Sequence, residues 1–230
     1  MRVDVCFGAP SPVPRGLLVV VDVFRSSSAI IEALSNGARE VIPFTNTAKA
    51  IDYRNSINRD RALLIGERNG ITPKGFDYNI SPFDLSRDNV EGKTILYTST
   101  NLTRVLGRLG ERKGTVIGGF NNARAVAKHL ERIGRDVSIV ACGGRKGLTV
   151  EDLTGAGAIT ASLRSGDLTD RALLAAGMYG NPDWPSLVKK GRIAKRLLEL
   201  GLKRDVEFCL GVDTASVVPV VRGNRIIRAE

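Results

Sequence analysis

A chain of 230 residues, 43% hydrophobic and 25% charged, has enough apolar content for a globular core and is neither fibrous nor disordered in composition. It has no apolar run long enough to span a bilayer and no secretory pattern at its start, so a cytoplasmic protein off the membrane is expected. The net charge of +10 is spread along the chain, with no basic tail and only 5% aromatic residues, which favours a small anionic substrate over nucleic acid.

In chain order, strands are predicted over 17–23, 39–44, 62–66, 93–98, 115–119 and 137–142. Helical patterns fall between them at 26–36, 47–57, 101–109 and 121–133. This alternation predicts an α/β fold of three layers, α/β/α, around a mixed, largely parallel sheet. Segment 168–202 reads as two amphipathic helices around "GNPDWP", and the tail "VEFCLGVDTASVVPVVRGNRI" reads as strands closing the sheet edge.

The halves resemble each other. "EVIPFTNTAKAI" at 40–51 overlays "TVIGGFNNARAV" at 115–126, and at a similar offset Arg68 matches Arg145 and Asp22 matches Ser99. One domain is expected, with pseudo-repeats over 17–85 and 93–163 and a C-terminal part over 164–230. Ligands of open α/β sheets bind beyond the carboxyl ends of strands. The polar tips 22–28, 66–79, 98–103, 119–122 and 142–152 are therefore expected to meet in one cleft.

In "VVVDVFRSSSAI", Asp22 ends an all-apolar strand, where a carboxylate is costly unless paired or bound to a metal. The tips add Arg25, Ser26, Ser27, Glu67, Arg68, Asp77, Asn79, Thr98, Asn101, Asn121, Arg145, Glu151 and Asp152. Carboxylates with amides and hydroxyls are donors for a hard cation such as Mg²⁺, and arginines with helix N-termini bind phosphate or sulfonate oxygens. Ser26 and Asn101 would equally serve as plain helix caps, and Glu151 and Asp152 would complement a helix dipole.

Other chemistries are excluded. "EGKT" at 91–94 has Arg87 where a phosphate-binding loop needs glycine, and "GAG" at 155–157 is an incomplete dinucleotide motif better suited to tight helix packing. Leu148 replaces the arginine of a cysteine phosphatase, although Cys142 stays open as a functional thiol. Phe24 replaces the second aspartate of a DxD phosphatase, and the only histidine, His129, lies mid-helix among polar residues. Cys6, Cys142 and Cys209 lack the spacing of a disulfide framework or a zinc site. Abundant arginine and the absence of glutamine hint at heat adaptation.

Taken together, "DVFRSSSAI", "GERNG…GFDYNISP", "TSTNLTR", "GGFNNARAVA", "CGGRKG…EDLTGAGAI" and "DVEFCL…VVPVV" resemble the 2-phosphosulfolactate phosphatase family over nearly the whole chain. The resemblance implies a mixed-sheet α/β/α structure, Mg²⁺ dependence, and hydrolysis of a phosphate monoester on a sulfonated hydroxyacid, in coenzyme M biosynthesis. Asp22, Arg25, Glu67, Asp77, Asn79, Asn101, Asn121, Glu151 and Asp152 fall on the family's polar motifs. Three departures stand out: Ser26–Ser28 replace threonine-rich residues, Leu102 replaces a glycine, and Gly119 replaces a serine.

The expected roles are as follows. Asp22, Arg25 and Glu67 are catalytic. Arg25, Ser26, Ser27, Arg68, Asn79, Thr98, Asn101, Asn121 and Arg145 bind substrate, and Asp22, Asp77, Glu151 and Asp152 hold Mg²⁺. The residues leave open whether water or Asp22 attacks phosphorus, and whether the protein forms a homo-oligomer. The rival reading is a noncatalytic anion- or nucleotide-binding protein on the same scaffold.

Overall fold

A computed structural model describes residues 1–110, 114–144 and 147–230. Ten strands form one sheet: β1 (Arg2–Phe7), β2 (Leu17–Val21), β3 (Glu40–Pro43), β4 (Ala62–Gly66), β5 (Thr94–Thr98), β6 (Val116–Gly118), β7 (Val137–Ala141), β8 (Asp167–Leu168), β9 (Pro219–Arg222) and β10 (Arg225–Arg228). Their order is β4-β5-β3-β10-β9-β6-β2-β7-β1-β8. β4, β5 and β3 are mutually parallel, as are β6, β2, β7, β1 and β8, while the β9–β10 hairpin is antiparallel to both of its neighbours.

The central strands carry near-continuous apolar runs because both faces are covered, as "LLVVV" of β2 illustrates. Alternate residues of β2 enter different layers. Leu17, Val19 and Val21 pack with Val126 and Leu130 of α5 (Ala123–Ile133) and with Leu153 and Ala156 of α6 (Val150–Ala161). Leu18 and Val20 face Ile30, Ile31 and Leu34 of α1 (Ser28–Ser35), and Val105 and Leu109 of α4 (Leu102–Leu109). Val41, Ile65, Ile95 and Tyr97 of the other half-sheet enter that same layer. Both half-sheets thus share one apolar layer holding α1 and α4, while α2 (Thr47–Asn55) covers the far face of β3–β5. The short helix α3 (Arg87–Val90) leads into β5.

Leaving out β1 and β8, exchanging β2, β3 and β4 with β5, β6 and β7, and β9 with β10, reproduces the strand order read from the other end, with the axis between β9 and β10. The first strand of each half lies between the second and third strands of the other, β5 between β3 and β4 and β2 between β6 and β7.

Several elements depart from expectation. β1 was not foreseen: its "RVDVCF" has only Val3, Val5 and Cys6 buried, with charges between them. The tail hairpin is central, not at the edge, held through Ile226–Val41 on one side and Val220–Val116 on the other. Its apolar Val220, Val221 and Ile226 are buried between the halves, and the turn is the two residues Gly223 and Asn224. The start of the tail is helical, as part of α10 (Lys203–Cys209). Segment 168–202 holds three helices, α7 (Asp170–Gly180), α8 (Trp184–Lys189) and α9 (Arg192–Glu199). The third arises because Gly191 interrupts the run and starts α9 as its N-terminal flanking residue. Among the described residues no helix is long and apolar enough to cross a membrane.

Candidate active site

The chain leaves β2 at Asp22 and makes one wide turn into α1. The Ser27 N–H donates to the Asp22 carbonyl at 2.8 Å, and the Asp22 N–H donates to the Ser27 hydroxyl at 2.9 Å. This leaves the Asp22 carboxylate pointing across the halves, where its Oδ2 accepts the Leu102 N–H at 2.9 Å. Asp22 therefore caps the N-terminus of α4 from the other half, and the Asn101 side chain makes no capping bond there.

Two further carboxylates hold the tips in matching ways. Asp152 Oδ1 accepts the Val23 N–H and its Oδ2 the Gly143 N–H, both at 2.8 Å. Glu67 accepts the Thr100 N–H at 2.6 Å, the Thr100 hydroxyl at 3.0 Å and the Gly70 N–H at 2.7 Å. Val23 and Thr100 are equivalent positions of the two halves, so each half supplies an acid that clasps the first strand tip of the other.

The cluster is electrostatically strained towards protonation. Burial, then the neighbouring Asp152 and Glu67 charges, push the Asp22 carboxyl well above the usual carboxylate range. Burial holds Asp152 at about 6 against the hydrogen bonds that favour its charge. Burial and the Asp152 charge lift Glu151 to about 8, and Glu151 Oε2 has no hydrogen-bond partner among the described residues. Among the described residues the Thr98 hydroxyl and the Tyr97 phenol, both buried in the strand that ends at this cluster, also lack a hydrogen-bond partner. Burial and the Asp22 and Asp152 charges raise the Cys142 thiol well above its ordinary value, which disfavours the nucleophilic thiolate.

Arg25 is 1% exposed and bound on two sides. Its Nη1 donates to Asp205 Oδ2 at 2.5 Å, and Nη2 donates to Asn79 Oδ1 at 2.9 Å. Asp205 also accepts the Ser81 hydroxyl at 2.9 Å, and Asn79 ties down Gly70 and Thr72. Nothing local in "KRDVEFC" marks Asp205, so sequence reasoning missed this partner.

Other expected site residues stand elsewhere. Arg68 donates to the carbonyls of Glu67 and Thr45, and Asp77 pairs with Arg54 at 2.9 Å while accepting the Leu64 N–H at 2.7 Å, pinning the 66–82 loop to β4. Asp77 is thus outside the carboxylate cluster. Asn121 accepts the Ser28 hydroxyl at 2.6 Å and donates to the carbonyls of Phe208 and Gly211, which fastens α1 to the chain after α10. Arg145 lies outside the described residues.

Tips 22–28, 66–79, 98–103 and 142–152 do meet, around a cleft of about 750 Å³; tip 119–122 does not reach it. Phe24, Arg25, Glu67, Gly70, Thr100, Asn101 and Gly144 line one side. Asp22 and Asp152 are buried and do not line the cleft; they accept the N–H groups of Leu102, Val23 and Gly143, next to residues that do. The opposite wall is α9 with the end of α8, bringing Lys190, Arg192, Lys195 and Arg196, a set of cations that sequence reasoning left inside a plain amphipathic helix.

A family described as 2-phosphosulpholactate phosphatase matches residues 9–224. A protein of Caldanaerobacter subterraneus subsp. tengcongensis named "Probable 2-phosphosulfolactate phosphatase" is 36% identical over 217 residues, covering 92% of this chain and 89% of its own. Proteins with the same name from Thermotoga petrophila and Clostridium beijerinckii are 36% and 34% identical. The first alignment covers 95% of each chain, the second 98% of this chain and 99% of the relative.

Proposed function

The chain belongs to the 2-phosphosulpholactate phosphatase family, which makes it a phosphoric monoester hydrolase, and we propose that it converts 2-phosphosulfolactate to sulfolactate and phosphate with Mg²⁺ in the cytoplasm. That reaction would serve coenzyme M biosynthesis. The observation that carries the reading is the cleft itself, with buried acids next to its floor and cations on its wall.

Among the described residues no group of three or more His, Cys, Asp and Glu side chains forms a ready-made metal cage. Mg²⁺ does not require one: it commonly takes one or two carboxylates, keeps waters and shares the substrate's phosphate. Asp22 and Asp152 supply that donor chemistry. Each is raised by burial, and the Asp152 charge lifts Asp22 further, a strain that a cation would relieve. The Thr98 hydroxyl, without a hydrogen-bond partner among the described residues, is a further oxygen donor. When bound, the metal would neutralise charge on the phosphoryl oxygens.

The protein's own groups supply position. Asp152 and Glu67 fix the two strand tips through backbone N–H groups, so the floor is rigid where the phosphoryl group would rest. Arg25, neutralised by Asp205, orders the floor rather than donating a free charge. Phosphate release from 2-phosphosulfolactate, followed with Mg²⁺ and after verified metal removal, tests the reading. Turnover should need the cation, and undiminished turnover in metal-free protein would refute the Mg²⁺ assignment.

A further inference from the structure

Three candidates for anion recognition follow from the sequence, Arg25, Arg68 and Arg145. Of the two that the structure describes, neither offers a free charge to the cleft. Arg25 is paired with Asp205, and Arg68, which donates to the carbonyls of Glu67 and Thr45, does not line the cleft. Yet a substrate with a phosphate, a sulfonate and a carboxylate on one small skeleton needs several cations near its anionic ends.

The wall opposite the floor answers this need. Arg196 is shared with Glu199 at 3.4 Å, whereas Lys190, Arg192 and Lys195 enter no ion pair among the described residues. Arg192 is the best placed of them. Its guanidinium rests over the Gly144 backbone, such that a Cβ added at Gly144 would lie 3.1 Å from Nη2. It therefore sits beside the loop whose Gly143 N–H binds Asp152, and near enough to Glu151 for its charge to favour that carboxylate. Lys195 lies one turn further along the same helix, on the stretch leading to Leu200, which packs against Gly70. The helix thus runs from the Gly144 loop to the Gly70 loop, spanning the cleft from one half of the molecule to the other.

Resting on the phosphatase reading, we infer that Arg192 and Lys195 of α9 receive the sulfonate or carboxylate of the substrate and set the preference for a phosphoester with additional anionic groups. Arg25 and Arg68 then act in shaping the floor. Arginine suits the role at 192 because its planar fork can bind two oxygens of one sulfonate or carboxylate together.

The test compares kcat/KM for 2-phosphosulfolactate with that for isopropyl phosphate, which keeps the phosphate and lacks both other anionic groups. In Arg192→Ala and in Lys195→Ala the ratio should fall by about tenfold or more, mainly through KM for the sulfonated substrate. Arg192→Lys should recover part of it, because charge returns without the fork. Lys49→Ala, on the exposed face of α2, controls for the loss of a surface charge and should keep the wild-type ratio. Circular dichroism of each variant verifies the fold. A wild-type ratio in folded Arg192→Ala and Lys195→Ala overturns this inference while the phosphatase reading stands. A wild-type protein that hydrolyses neither ester overturns both.

Discussion

At Asp22 the side chain has two separable properties: it accepts the Leu102 N–H, and it is an ionisable carboxyl whose charge burial and Asp152 disfavour. Asparagine keeps the acceptor and removes the charge. Asp22→Asn should therefore keep or raise stability, because repulsion from Asp152 is lost, while phosphate release falls by roughly 10²–10³. Wild-type turnover in the folded variant would take Asp22 out of the chemistry. The same cluster predicts a pH dependence. Asp152 and Glu151 are held at about 6 and about 8, above their ordinary 3.8 and 4.5, so the folded chain keeps protons that the unfolded chain releases. Their contribution is full below about pH 4 and is lost as pH rises through the folded values towards about 8. Urea midpoints of metal-free protein should fall between pH 5 and pH 8, and Mg²⁺ should restore part of the loss at pH 8; a flat profile would mean that these carboxyls are solvated. Arg25 and Asp205 make the opposite point. Removing one partner of a buried pair strands the other, so Asp205→Asn should cost about 3–5 kcal/mol in urea unfolding. Asp22 was legible because a carboxylate ending "LVVV" is anomalous in place. Asp205 was not, since its partner lies 180 residues away and its own surroundings read as an ordinary helix start.

Elements were legible where burial alone decides them. The runs of β2, β5 and β7 are buried at every position, and turn residues bound them, so their extents follow from composition. Where tertiary contacts decide, the sequence misleads. "VEFC" has strand-forming residues, yet it is helical in α10 because Val206 and Cys209, three apart, are both buried on one face. The "GAG" of α6 was read for tight packing, and both glycines are closely approached. A Cβ on Gly155 would lie 2.7 Å from Val23, and one on Gly157 would lie 1.9 Å from the Ala175 carbonyl of α7. Gly157→Ala must therefore push α7 away from α6 and should destabilise by about 1–3 kcal/mol or more. Gly177→Ala, on α7 where an added methyl meets nothing within 4 Å, should be neutral or stabilising by about 0.4–1 kcal/mol. Thermal unfolding of the pair separates a packing cost from a generic effect of losing a helical glycine; equal shifts would rule out the close crossing.

Across the whole molecule, the carboxyl ends of two oppositely directed half-sheets reach one cleft because the halves are interlocked. β2 and β5 each complete the other half, and α1 and α4 lie in a layer to which both half-sheets contribute. The internal similarity of the sequence pointed to paired halves, but alignment of like segments carries no information about strand exchange. Nor could it place the tail, whose valines fit an edge and a centre equally well. The centre has a testable consequence. β9 and β10 join the two half-sheets through Val220–Val116 and Ile226–Val41, and among the described residues the hairpin is the only strand pairing between those half-sheets. A chain ending at Ser216 would lose that link and leave β3 and β6 as open edges, with unpaired backbone groups and exposed apolar neighbours. An edge hairpin would be removed at the cost of its own contacts alone, leaving a cooperative core. Removal from the centre should instead abolish cooperative unfolding or drive aggregation. Two probes report on it: fluorescence of Trp184, whose ring stacks 4.4 Å from Phe120, and far-ultraviolet circular dichroism of the whole chain. In the full-length protein the two urea transitions should coincide. In the truncated chain they should separate or vanish, and a single coincident transition there would mean that the shared α1–α4 layer alone holds the two halves together.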